Sequence, residues 1–234
     1  MRRAVLAVIV LPFALAACSG TEARVASSLT PAASVRQAAS KTAAATSMHV
    51  TVDASGGSGM LAGPVTGSGD FDIANQRGSF QLQLSRLGTI DAVISGTTAY
   101  VKAPFLSAFL PAGKPWVKLE GRRASRLNAV PQNPKQALAR LKHFVSVKEV
   151  GDETIDGVSV THYHGTARRG QGTVDVWIGK DDGYVRRIQA SGNGRSGVVN
   201  FSDFGEPVSV TVPPASETAT MTATGSFGRF FKRG

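Results

Sequence analysis

Ser79-Phe80-Gln81-Leu82-Gln83-Leu84 alternates without a break: Phe80, Leu82 and Leu84 fall on one side, Gln81 and Gln83 on the other. A period of two marks a strand with one buried and one wet face, which antiparallel sheets allow. The pattern recurs along the chain. Val50 and Val52 share a face, and Phe71 and Ile73 open another strand. Ile90 to Ser95 and Thr98 to Ala103 form a hairpin around Gly96 and Thr97, and Trp116 to Glu120 adds a further strand. Later come Gly157 to Gly165, Thr173 to Ile178, a turn at Lys180-Asp181-Asp182-Gly183, then Tyr184 to Ala190, Val198 to Phe204 and Val208 to Val212 before Pro213-Pro214. The fold class that follows is α+β, with one continuous antiparallel sheet rather than two domains.

Two stretches break the alternation with helical spacing. From Pro31 to Met48, Val35, Ala38, Ala39 and Ala45 fall near one stripe, with Thr30 placed to cap and Pro31 at the first position. Asn133-Pro134-Lys135-Gln136 starts the second helix. Its stripe of Leu138, Leu141 and Val145 faces a sheet, while Lys135, Arg140 and Lys142 take the other side. Between strands, Pro104-Phe105-Leu106-Ser107-Ala108-Phe109-Leu110-Pro111 carries too many apolar residues for an ordinary loop. It reads either as a short helix plugging one end of the sheet or as a lip (Phe105, Leu106, Phe109, Leu110) at a pocket mouth or membrane.

The amino terminus sets the compartment. Met1-Arg2-Arg3 is followed by an uncharged apolar run to Ala17, then Cys18. Positive start, short apolar core and small residues before a cut site describe a secretory signal peptide over 1–17. As a helix the run is about 21 Å long, short of a hydrocarbon core of about 30 Å. Leu15-Ala16-Ala17-Cys18 resembles a bacterial lipobox, which makes Cys18, the sole cysteine, the lipid-attachment residue. Two acyl chains on that thiol hold a protein stably where one does not. The expected location is the extracytoplasmic face of the cell membrane. Residues 18–30 read as a tether, 31–214 as the domain and 215–234 as a disordered basic tail ending Arg229-Phe230-Phe231-Lys232-Arg233.

Catalytic patterns are scarce. Gly192-Asn193-Gly194-Arg195-Ser196-Gly197 has the letters of a dinucleotide fingerprint but lies between two strands, so it reads as a hairpin turn. His162 and His164 point the same way on a strand, yet no third metal ligand is evident, and they read as exposed strand histidines. Carboxylates are scattered singly, and no cofactor, metal site or enzyme activity is expected. The net charge of +10 would suggest nucleic acid inside a cell; outside, anionic headgroups are the available partner. With aromatics at 7%, a large curved sheet would leave a concavity suited to an apolar ligand.

The order of elements resembles the actinobacterial LppX/LprG-type lipoproteins, relatives in fold of the LolA and LolB carriers. The resemblance rests on Lys114-Pro115-Trp116-Val117-Lys118-Leu119, Thr154-Ile155-Asp156-Gly157-Val158 with Thr161-His162-Tyr163, Val174-Asp175-Val176-Trp177-Ile178 with Asp182-Gly183, and Phe201-Ser202-Asp203-Phe204-Gly205-Glu206-Pro207-Val208 leading to Pro213-Pro214. It implies a half-barrel whose helices cover the concave side, enclosing a cavity for an acylated lipid or glycolipid. It further implies lipid carriage, with an envelope transporter as a partner. By alternation the cavity would be lined by Phe80, Leu82, Leu84, Ile94, Leu138, Leu141, Val174, Val176 and Ile178. The same fold could serve a ligand-free interaction or sensor module that binds a protein.

Overall fold

A computed structural model describes residues 29–56, 63–120, 134–166 and 172–220. Cys18, the signal peptide, most of the tether, the capping residue Asn133 and the chain from 221 onward lie outside these. Helix α1 (Pro31–Ala43) is capped by Thr30, whose hydroxyl accepts from the Ala33 amide. It stops five residues short of the expected Met48, because Ser47 and Met48 already belong to β1 (Ser47–Ser55). There follow β2 (Val65–Asp72), β3 (Arg77–Leu84), β4 (Gly88–Ser95), β5 (Thr98–Lys102), a 3-10 turn at Pro104–Phe109 and β6 (Trp116–Glu120). After α2 (Pro134–Arg140) and its 3-10 extension Leu141–His143 come β7 (Val145–Ile155), β8 (Val158–Thr166), β9 (Thr173–Gly179), β10 (Val185–Gly192), β11 (Arg195–Ser202) and β12 (Thr218–Thr220).

All twelve strands form one sheet in the order β12-β6-β5-β4-β3-β2-β1-β11-β10-β9-β8-β7. Every pairing is antiparallel except the parallel β12–β6 pair. Laid flat, twelve strands would span about 50 Å. Yet Leu119 of β6, Tyr163 of β8, Leu138 of α2 and Val35 of α1 share one buried cluster. The sheet is therefore rolled around its own apolar face, with α1 and α2 packed inside the curl.

The bend has a local cause between β2 and β3. A Cβ at Gly69 would lie 2.3 Å from the Ser79 carbonyl oxygen and 2.3 Å from Phe80 Cδ2, and one at Gly67 only 2.5 Å from the Gln81 oxygen. The inward Cβ positions converge so far that only glycine fits. Two-residue turns close the meanders: Asp156-Gly157 and Asn193-Gly194 both hold positive φ, as type I′ hairpins require.

Some expectations need correction. Phe71 and Ile73 do not begin a strand; Phe71 is near the end of β2, and Ile73 lies beyond it. Val145 is not on the α2 stripe but opens β7, 40% exposed, because the helix ends before it. Val208 to Val212 forms no strand, having no neighbour to pair with. Residues 215–220, expected in the tail, make a 3-10 turn and β12, which covers the edge of β6.

Thr42 fastens α1 to the sheet. Its hydroxyl, fully buried, donates to the Ala38 carbonyl at 2.8 Å and accepts from the Val185 amide at 2.8 Å. Thr42→Val keeps the shape but leaves that amide unpartnered, and should cost about 2 kcal/mol in urea unfolding.

Candidate functional site: the concave face

The register sorts the inward residues into rows that run across the strands. One row passes through Val185 and Ile178, then Phe201, Val50, Gly69, Phe80 and Ala92. A second runs Tyr163, Val176, Ile188, Val199, Val52, Gly67, Leu82 and Ile90. Apart from Gly67, Gly69 and Ala92 both are filled by large side chains, and they pack in one cluster with Leu138 and Leu141 of α2 and its extension, which are 1% and 2% exposed. The third row, nearest the ends of β3, β8 and β10, is different. It reads Gly165, Val174, Ala190, Gly197 and Ala54 before reaching Val65 and Leu84.

Five successive strands thus place nothing larger than valine there, and at the ends of β9, β10 and β11 a shallow depression of about 270 Å³ is lined by Val174, Ala190 and Gly197 together with Thr173, Ser191, Arg195 and Ser196. The nine residues expected to line a cavity are packed residues in this structure. Eight of them join the central cluster, and Ile94 packs half-buried against it. The sequence reading found the large residues and missed Gly165, Ala190, Gly197 and Ala54, because small side chains carry no weight in an alternation pattern.

Polar groups near this face are few. Burial pushes the Tyr163 phenol above its ordinary range, with Ser34 and Glu149 beside it. In the 3-10 turn, Leu106 is buried, Phe105 and Leu110 are half-buried and Phe109 is 59% exposed. Leu106 thus plugs the core, while the Phe109 side chain faces outward.

On the outward face the histidines are tied into a hydrogen-bond network. His162 Nδ1 meets Glu153 at 2.8 Å, its Nε2 meets Asp175 at 2.9 Å, and His164 Nδ1 meets the same Asp175 oxygen at 2.8 Å. Trp177 stacks on His162 and donates its indole N–H to Glu153. His162 is half-buried rather than exposed as expected, since Trp177 lies flat on it. No cluster of side chains that could hold a metal ion occurs among the described residues. Nearby, the Lys180 ammonium and Thr161 hold the Asp152 carboxyl below its ordinary range. Among the described residues no helix is long and apolar enough to cross a membrane.

No family model matches the chain. The "Putative lipoprotein SCO4650" of Streptomyces coelicolor is 33% identical over 91 residues, 37% of this chain and 32% of that protein. An "Uncharacterized 31.2 kDa protein in rplA-rplJ intergenic region" of Streptomyces griseus is 27% identical over 147 residues, 45% of this chain and 48% of that one. The chain spans less than half the length of each. Two solved structures superpose over most of it. The Mycobacterium tuberculosis lipoprotein LppX matches 77% of this chain and 98% of its own, at a TM-score of 0.56 and 21% identity. LprF from Mycobacterium bovis matches 78% and 96%, at 0.58 and 15%. The chain has the LppX fold. In that LppX-like frame the rolled sheet is the shared feature, and the sequence-based expectation of fold class holds.

Proposed function

We propose that the protein is an extracytoplasmic lipoprotein, held to the cell membrane through diacylglyceryl-Cys18, which shelters the acyl part of a lipid or glycolipid on its concave face. The row Gly165, Val174, Ala190, Gly197 and Ala54 carries this reading. It is an apolar strip of small side chains, half-open at Gly197 and Ala54 and exposed at Ala190, with Val147 packed against Gly165 at its β8 end. An acyl chain laid there meets aliphatic surface along its length, and each methylene removed from water contributes about 0.8 kcal/mol. The likeness in fold to two mycobacterial lipoproteins supports the same reading, as does the lipobox. No reaction is proposed: the interior holds no nucleophile–base pair among the described residues.

The dense packing of Phe80, Leu82, Leu138 and Val176 favours a second reading, a ligand-free module that binds a protein. Native mass spectrometry separates the two. Full-length protein extracted from membranes in mild detergent should carry a non-covalent lipid. Ala190→Trp, at an exposed position in the third row, should lose that lipid while its unfolding midpoint stays put. Protein without lipid, or lipid indifferent to the tryptophan, would leave the interaction module standing.

A further inference from the structure

The antiparallel register assigns every turn to one of two ends of the sheet, and the two ends differ in charge. The end where β3, β5, β8 and β10 finish presents Arg86 in the β3–β4 turn, Lys102 and Lys114 around the 3-10 turn, Lys142 before β7 and Arg195 in the β10–β11 turn. Four of the five are exposed; Lys114 is half-buried, its ammonium donating to the Ala215 and Thr218 carbonyls. Among the described residues the carboxylates beside these cations are Glu217 and Asp91, the register partner of Lys102. The opposite end gathers Asp72, Glu120, Asp156, Asp181, Asp182, Asp203 and Glu206, against the exposed cations Lys41, Arg77 and Lys180, and so keeps an excess of carboxylates.

Four large apolar side chains are exposed among the described residues, and one of them, Val150, lies mid-way along β7. Phe109, 59% exposed, and Val145, 40% exposed, both belong to the basic end. The chain also enters from that direction. The last turn of α1 is fixed at the acidic end by the Thr42–Val185 hydrogen bond and by Lys41 lying 5.1 Å over the Tyr184 ring. Thirteen residues of helix carry its start about 20 Å away, where Leu29 is 54% exposed and residues 1–28 lead in.

We infer that the basic end docks flat on an anionic phospholipid bilayer, with Phe109 and its neighbours at the headgroup level and the acidic end turned away. This rests on the reading of an envelope protein but needs no cargo. Cations near an anionic leaflet are attracted within a Debye length, and apolar side chains among them bury into the acyl boundary. The small-residue row lies at this same end. Docking therefore brings its depression against the bilayer, so a lipid tail reaches the concave face without crossing water.

Hydrogen exchange on the full-length chain tests this, in vesicles of phosphatidylglycerol and, separately, phosphatidylcholine. In phosphatidylglycerol, amides of 85–87, 104–114 and 192–195 should exchange at least about fivefold more slowly than in phosphatidylcholine, the factor one surface cation supplies. Turns 180–183 and 203–206 should exchange alike in both. Arg86→Glu with Lys102→Glu should abolish the difference while β9 amides stay protected, which certifies the fold. Equal rates in the two lipids, or protection at 180–183 instead, would overturn the docking. Lipid retained by a chain that fails this test would refute the docking alone; docking by a chain that carries no lipid would refute the cargo alone.

Discussion

Gly69→Val should cost about 3 kcal/mol or more, at the upper end of overpacking effects, and shift the urea midpoint accordingly. The reason is that most of what the new side chain meets cannot yield. An added Cβ falls 2.3 Å from the Ser79 oxygen and 2.8 Å from Phe80 Cα, both main-chain atoms of the paired strand. Rotating the Phe80 ring relieves only one of the three clashes, so β2 and β3 must spread and the roll must open. Gly96→Ala is the control. That residue has φ 59° and nothing within 4 Å of a Cβ, so only the left-handed conformation is penalised, at about 1–2 kcal/mol. If Gly69→Val unfolds like the parent, the bend does not originate between β2 and β3.

Leu138→Ala should destabilise by about 3 kcal/mol, within the usual span for a buried leucine. Leu138 is 1% exposed and, with Leu141, anchors α2. A seven-residue helix has little stability of its own, so its persistence depends on those two side chains. Hydrogen exchange should then show α2 amides losing protection well before those of β9. If the concave face takes up acyl chains by letting α2 lift, the same variant should exchange bound lipid faster than the parent. A loss under about 1 kcal/mol would mean that Leu138 contributes little to the core.

How much was legible follows from which residues carry period. β3 and β9 were readable because every second residue is large and apolar. The hairpin at Asn193-Gly194 was readable because that turn type wants that pair. β2 was misplaced because two of its four inward positions are Gly67 and Gly69, the two that the bend demands, so the alternation is broken between Val65 and Phe71. β7 was missed for a related reason: Ser146 and Gly151 hold positive φ and the register slips beside them, which scrambles the period. β12 is three residues paired in parallel with a strand a hundred positions away, and nothing local announces it. The same asymmetry governed the site. Bulky liners announce themselves, whereas a groove is made of what is missing, and Ala190 or Gly197 look like any surface residue.

Where β1 sits has a consequence for biogenesis. It lies between β2, its successor in the chain, and β11, so that His49 faces Ser202. The chain thus makes two contiguous meanders, β1 to β6 and β7 to β11, and both seams that join them to later chain, β1–β11 and β6–β12, are sewn by residues 195–220. Pairings this distant are slow to find. For a chain exported amino end first, as proposed above, the β1–β11 and β6–β12 seams form only after residues 195–220 have emerged, so the sheet closes last.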